Sequence, residues 1–291
     1  MPTCGLTLKL IGESINDSIG STRRLFDAGD LAAIGQLARS QDLGGADYID
    51  VNVGGRSADF LAEVVRCVQA ATARPLSIDT PDPAMAEAAL KAYDPARSAG
   101  LPPILNSVSQ LRLEMLDLRR ITPFKPILLV SERAEGDQKL PNRTADEVYS
   151  TARAMLAEAA KRGIPAGDCL IDPAISPLAT DQEGDLGRLI DSLTLLKADP
   201  AFAAVGRSVG LSNFTVLLPP TRKDGTSPTR NPLENAFLTL ALPLGLTHII
   251  GSVKRRYEFL APEDPAMACV RDCLHLTGLD GLLRVRKFYA E

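Results

Sequence analysis

Short apolar runs that end in a polar residue recur along this chain, and a helical pattern follows most of them. In residues 75–83 the apolar run closes at Asp79, turns at two prolines and leads into apolar positions three and four apart. Five further runs carry polar residues at the same place, at Glu13, Asn52, Asn106, Asp172 and Asn213. This order predicts strand–turn–helix units with polar side chains at the carboxyl ends of the strands.

Eight units of this kind can be placed along the chain. The predicted strands cover residues 7–11, 47–51, 75–78, 103–105, 126–130, 169–172, 209–213 and 247–250. Alternating strands and helices imply a parallel sheet, and eight units of this length favour closure into a barrel over an open, doubly wound sheet. We therefore predict the α/β class and one (β/α)8 TIM barrel, a single domain over residues 1–291.

The segments between the strands give clearer helix signals in some places than in others. Asp30 and a Thr144–Glu147 capping box predict two helix starts. Further predicted helices cover residues 58–71, 110–120, 183–198, 233–242 and 265–277. Residues 13–29 and 131–143 are predicted to be polar loops, and residues 214–231 form a long irregular segment, which in a compact domain is usually functional or disordered.

The amino-acid composition of the chain argues against several classes of function. The net charge of −4 and the pI near 5.4 argue against a nucleic-acid or membrane-surface partner. There is no apolar run of 18 residues, and residues 1–5 lack the shape of a signal peptide, so we predict a cytoplasmic protein without membrane contact. Two histidines and five scattered cysteines without zinc-type spacing predict no metal site.

The polar residues at the strand ends should converge on one mouth of a parallel barrel. Any one of them could instead cap the following helix. As a group they are acids and amides without a basic partner at a strand end, and burying such carboxylates is costly unless they are hydrogen-bonded. A pterin would supply the missing donors, because its N3–H and 2-amino group present two parallel N–H bonds to one carboxylate.

Six short motifs carry a resemblance to a known family. They are GESIN at residues 12–16, DVNVG at 50–54, IDT at 78–80, LNS at 105–107, IDP at 171–173 and GLSN at 210–213. In this order they resemble the pterin-binding methyltransferases, namely the methyltetrahydrofolate:corrinoid protein methyltransferases and the folate domain of cobalamin-dependent methionine synthase. The resemblance runs from about residue 11 to residue 251.

The resemblance implies a homodimeric enzyme of one-carbon metabolism. Its substrate would be tetrahydrofolate or 5-methyltetrahydrofolate, and the methyl group would move between N5 and the cobalt of a corrinoid (cobalamin) held by a partner protein. Asp172 would bind the 2-amino and N3 edge, and Asp79 and Asn106 the edge around N1 and N8. Asn213 would reach N5 as the catalytic residue, with Asn52 and Glu13 in the supporting network.

Two other functions stay open at the sequence level, and so does the direction of transfer. Dihydropteroate synthase is similar in fold and pterin clamp, but this chain has Ser212–Asn213–Phe214 where a basic turn would hold a diphosphate. The other alternative is a non-catalytic folate-binding subunit, against which the presence of Asn213 counts. Residues 214–231 could form a lid, and Arg222, Lys223 and Arg230 within them could meet a glutamate tail or be solvated charges.

Overall fold

In the computed structural model of the protein, eight parallel strands close into a barrel. The model describes residues 7–136 and 138–290, so the start of the chain used for the localisation prediction lies outside it. The strands are β1 Lys9–Asn16, β2 Tyr48–Asn52, β3 Leu76–Asp79, β4 Ile104–Val108, β5 Lys125–Leu129, β6 Glu132–Glu135, β7 Gln138–Pro141, β8 Leu170–Asp172, β9 Gly206–Gly210 and β10 His248–Gly251. All but β6 and β7 follow one another around the barrel, and β10 pairs back with β1. The predicted TIM barrel is confirmed.

Helices surround the barrel on its outside. They are α1 Gly20–Asp27, α2 Leu31–Leu43, α3 Ala58–Ala71, α4 Pro83–Ala92, α5 Ala145–Lys161, α6 Asp185–Ala198, α7 Leu211–Thr215, α8 Arg230–Ala241, α9 Pro265–Cys273 and α10 Gly278–Ala290. Two large apolar clusters fill the space between these helices and the strands. The side chain of Asp30 caps α2, and the capping box of Thr144 and Glu147 starts α5 as predicted.

Side chains alternate between the two faces of each strand, and this alternation determines which of them point into the mouth of the barrel. Inside the barrel, a third apolar cluster includes Tyr48, Ile104 and Leu170. Side chains two positions apart on a strand point to the same face. Asp50, Asn106 and Asp172 stand two positions further along the same strands, so they point into the mouth at the carboxyl ends. The apolar layer therefore closes the barrel directly beneath the polar one.

The structure corrects the expected end of the seventh barrel strand. That strand, β9, ends at Gly210, and Asn213 lies in the helix α7 rather than on a strand. Leu211, Phe214 and Thr215 are the buried residues of α7, which is the three- and four-residue spacing of a helix and not the alternation of a strand. The sequence pattern was too short to reveal this change of period.

Three predicted loops and one helix also differ. Residues 13–29 continue β1 and then form α1, while residues 131–143 contain the antiparallel hairpin β6–β7. The expected helix over 110–120 is a run of 3₁₀ turns, interrupted where Arg112 leaves helical geometry. The long segment 214–231 contains the end of α7 and the start of α8. The final helix α10 was not predicted.

Candidate active site

The carboxyl ends of the barrel strands enclose a cavity of about 630 Å³. Five of the six residues singled out in the sequence line it, namely Glu13, Asp79, Asn106, Asp172 and Asn213. The sixth, Asn52, stands behind the wall and donates from Nδ2 to Asp79 Oδ2 at 2.8 Å. The barrel thus brings residues from most of the chain into one polar pocket.

Asp79 is held rigidly by its neighbours. Asn52 binds one carboxylate oxygen, and Ser107 donates from Oγ to the other, Oδ1, at 2.8 Å. Asn52 is itself fixed, because its Oδ1 accepts the Gly54 backbone N–H at 2.9 Å. Each carboxylate oxygen has a second lone pair, so Asp79 can still accept from a ligand in the cavity.

Two β-bulges shape the mouth. The pairing of β1 with β2 shifts register between Gly12 and Ile15, and that of β4 with β5 shifts between Leu105 and Val108. A bulge re-aims side chains and is common beside functional sites. These two bulges contain Glu13 and Asn106. In the second bulge, Ser107 adopts a φ of +70°, which L-residues other than glycine rarely do.

Asp172 and Asn106 present complementary groups. Asp172 Oδ1 accepts the Ala174 N–H at 2.8 Å, and Oδ2 accepts a longer bond of 3.4 Å from Ser208. Burial raises the pKa of Asp172 to about 7, against the opposing effect of these two bonds. Asn106 uses Oδ1 for the Ser107 N–H at 2.7 Å, so its Nδ2 is left to donate into the cavity. The set offers both acceptors and donors to a planar heterocycle.

Asp50 is a site residue that sequence reasoning did not single out. Its side chain is buried, it lines the cavity, and its Oδ1 has no hydrogen-bond partner among the described residues. Burial raises its pKa well above the usual range, the charges of Asp79 and Glu13 add to this effect, and the neighbouring Ser77 hydroxyl opposes it. The available signal was its position in the DVNVG motif, two residues before Asn52 and on the inward face of β2.

Glu13 links the first strand to the helix that carries Asn213. Ser212 donates from Oγ to Glu13 Oε2 at 2.6 Å. Burial raises the pKa of Glu13, while the Ser212 bond and the charge of Arg255 oppose this effect. Asn213 is exposed to the cavity, and its Nδ2 lies so close to Gly210 that a Cβ there would be 2.8 Å away. Glycine at this position therefore lets the amide stand against the strand end.

A comparison with family profiles decides the family. The profile described as "Pterin binding enzyme" matches residues 16–251, which is most of the chain. The chain belongs to the pterin-binding enzyme family. The match begins at the end of β1 and ends with β10, and therefore covers seven of the eight barrel strands in full.

The individual proteins that this pterin-binding enzyme resembles fall into two groups. The methylcorrinoid:tetrahydrofolate methyltransferase of Eubacterium limosum is 27% identical over 242 residues, which is 81% of this chain and 82% of that protein. The dihydropteroate synthase from Thermus thermophilus, solved in complex with 6HMPPP, has a TM-score of 0.56 at 20% identity, covering 93% of this chain and 94% of that one.

A second solved structure shows the same likeness. The dihydropteroate synthase from Xanthomonas albilineans in complex with 7,8-dihydropteroate has a TM-score of 0.52 at 20% identity, covering 84% of this chain and 86% of that one. At these identities the solved structures establish the shared fold alone.

The pterin-binding enzyme has a basic wall as well as an acidic floor. Arg230 and Arg255 line the same cavity from α8 and from the segment after β10. Neither stands at a strand end, so counting polar residues at strand ends could not reveal them. Within residues 7–136 and 138–290 no helix is long and apolar enough to cross a membrane, and no cluster of three potential metal ligands is found.

Proposed function

We propose that this pterin-binding enzyme transfers a methyl group between N5 of tetrahydrofolate and the cobalt of a corrinoid carried by a separate protein. One observation carries the proposal. The Asn213 amide stands on the cavity wall, exposed and without a side-chain hydrogen bond within the described part of the chain. The Eubacterium limosum relative, a methylcorrinoid:tetrahydrofolate methyltransferase, supports the same function.

The pterin ring would lie across the acidic floor of the cavity. In its ionised form Asp172 would accept from N3–H and the 2-amino group, a bidentate contact between parallel donors and acceptors. Asp79 and Asn106 would bind the opposite edge, where Asn106 Nδ2 can donate to a ring nitrogen. Asn52 would act only through Asp79, and Glu13 through Ser212.

Transfer from N5 requires positive charge to develop on a tertiary amine, which is otherwise a poor leaving group. The corrinoid supplies the cobalt that accepts or donates the methyl group. Asn213 would stabilise the protonated N5 as a preorganised hydrogen-bond partner. Burial raises the pKa of Asp50 and so favours its protonated form, and Asp50 would be the proton source that the sequence did not suggest.

Dihydropteroate synthase is the second candidate, and the Arg230–Arg255 pair favours it because it could hold an anionic leaving group. A folate-binding subunit without turnover is the third. In all three cases the chain would act as a single cytoplasmic barrel domain. We propose a homodimer that docks a corrinoid protein. Multi-angle light scattering of the purified protein tests the dimer.

A cobalt-spectrum assay tests the methyltransferase directly. The purified protein is mixed with methylcob(III)alamin and tetrahydrofolate, and separately with Co(I) cobalamin and 5-methyltetrahydrofolate. We expect the cobalt spectrum to change in at least one direction, and the same change to be far slower in Asn213→Ala. If cobalamin and a range of corrinoid proteins all fail while p-aminobenzoate condenses with a pterin diphosphate, the protein is the synthase instead.

A further inference from the structure

Two arginines line the cavity together with its acidic and amide residues. Arg255 follows β10 and Arg230 begins α8. Burial lowers the pKa of Arg255; the charges of Tyr257 and Glu13 oppose this effect, and the charge of Arg230 adds to it. Two like charges on one cavity wall are stabilised by an anion that binds between them.

A buried carboxylate fixes Arg255. Its Nη1 forms an ion pair with Glu234 Oε1 and also lies 3.4 Å from Thr215 Oγ1. Thr215 in turn donates to Glu234 at 2.5 Å, and both of these residues are fully buried. Only one nitrogen of Arg255 is occupied in this way. No acceptor is found among the described residues for its Nε and Nη2, which leaves them to a ligand.

Arg230 is fixed through the backbone instead. Its Nε and Nη2 both donate to the Leu218 carbonyl, Nε at 2.8 Å, and Nη1 has no acceptor among the described residues. The other two basic residues of this segment are not among the residues that line the cavity. Arg222 stacks on Phe288 with its Cζ 4.2 Å from the ring centroid, and the backbone N–H of Lys223 donates to Tyr289.

We propose that Arg230 and Arg255 form an anion subsite that binds a carboxylate of the glutamyl tail of the folate substrate. Naming the tail rests on the proposed function. The acidic floor takes the donor-rich pterin head, and an anion is repelled from that floor towards the arginine wall. A cavity of about 630 Å³ has room for more than the pterin ring. The subsite selects folates over bare pterins.

Dissociation constants measured by calorimetry for two ligands test the subsite without any methyl transfer. The ligands are tetrahydrofolate and 6-methyltetrahydropterin, which lacks the tail. Wild-type protein should bind tetrahydrofolate more tightly. Arg230→Gln should weaken the binding of tetrahydrofolate by about tenfold, equivalent to about 1.4 kcal/mol. The dissociation constant of 6-methyltetrahydropterin should stay within about twofold of the wild-type value. Lys223→Gln removes the same charge from the same segment, and should change neither constant.

Arg255→Gln alone would leave Glu234 buried and unpaired, so the double variant Arg255→Gln/Glu234→Gln is used for the second arginine. It should show the same selective loss. Equal losses for both ligands, or no loss for either, would overturn the subsite. A failed cobalt assay combined with the selective loss would overturn only the methyltransferase.

A second ligand pair distinguishes the two possible sources of an anion. These are 6-hydroxymethyl-7,8-dihydropterin diphosphate and its parent alcohol. If the arginine variants weaken binding of the diphosphate by at least about tenfold but leave binding of tetrahydrofolate unchanged, the subsite does not bind the glutamyl carboxylate. We expect the variants to weaken tetrahydrofolate.

Discussion

Three carboxyl groups that line the cavity hold their protons more tightly than free carboxyl groups do. Burial is the leading cause for Glu13, Asp50 and Asp172, whose pKa values are all raised. A buried acid in a water-poor site favours its neutral form unless a cation or donors compensate. The pKa of Asp172 is about 7, so small changes of pH near neutrality decide whether its carboxylate can accept two hydrogen bonds.

Pterin affinity should therefore rise with pH. Below a pKa of about 7 Asp172 is protonated and cannot accept both ligand N–H groups, whereas above it the carboxylate is free to do so. We expect the association constant of 6-methyltetrahydropterin to increase about tenfold between pH 6 and pH 8. Asp172→Asn should bind weakly across this range with a flat profile. A flat profile for the wild-type protein would contradict the assignment.

Asn213 and Asp172 should differ in which kinetic quantity they control. In the proposed function Asp172→Ala removes a contact of about 1.5–3 kcal/mol to the ligand and should weaken folate binding by about ten- to 150-fold. In the proposed function the Asn213 amide is needed only when charge develops on N5, so Asn213→Ala should lower the rate of methyl transfer far more than the affinity. Single-turnover rates and dissociation constants separate the two effects. If Asn213→Ala lowers the affinity for folate as much as it lowers the rate of methyl transfer, a role of Asn213 at N5 is excluded.

At the level of elements, the sequence predicted the strands and helices whose buried positions repeat with a clear period. The runs ending at Asp79, Asn106 and Asp172 are apolar and end abruptly, so their strands and their site residues followed from the pattern. Asn213 lies at the cavity on a five-residue helix instead of a strand. This helix is too short for its period to be recognised in the sequence. The bulge at Ser107 and the orphaned oxygen of Asp50 depend on strand pairing, which no local pattern contains.

The unpredicted helix α1 begins directly after Ser18 and Ile19, which line the cavity, and Arg56 holds it in place. Arg56 Nη1 lies 2.5 Å from Asp17 Oδ1, and its Nη2 pairs with Asp27 at the end of α1. Its Cζ is 5.0 Å from the ring centroid of Phe26 and 5.8 Å from that of Phe60. Asp27 is well exposed and contributes little, so the stacked rings and Asp17 provide most of the attachment.

Arg56→Met should loosen α1 while leaving the barrel folded. The lost ion pair and cation–π contacts correspond to about 1–2 kcal/mol of local stability. We expect amide hydrogen exchange over residues 17–28 to accelerate about tenfold, which corresponds to about 1.4 kcal/mol. Arg66→Met, on the exposed side of α3, is the matched control and should exchange like the wild type. Unchanged exchange in Arg56→Met would mean that packing alone holds α1.

In the whole molecule, the two ends of the barrel have different roles. The carboxyl end holds the cavity, and the amino end holds charged pairs such as Lys9 with Asp47, whose Nζ and Oδ1 are 2.8 Å apart. His248 stands at that amino end, two positions before Ile250, which lines the cavity. Its Nδ1 is 2.8 Å from Thr247 Oγ1. In barrels of this class, the amino end serves stability and the carboxyl end serves function.

His248 should make the protein sensitive to acid without affecting the ligand. Burial lowers its pKa from 6.5 to about 4, with the charges of Lys125 and Lys9 adding to the effect and Asp47 opposing it. Between these values the unfolded chain binds a proton that the folded chain does not, so stability falls as pH drops from about 6.5 to about 4. The loss can reach about 3 kcal/mol.

His248→Asn keeps a polar atom near Thr247 but cannot titrate, so its free energy of unfolding should decline less over the same pH range. Urea unfolding at several pH values measures the difference between the two proteins. At pH 7.5 their affinities for 6-methyltetrahydropterin should agree, because the apolar layer of the barrel separates His248 from the cavity. An identical acid response in both proteins would remove His248 as the cause, and a changed affinity would show that the two ends of the barrel are coupled.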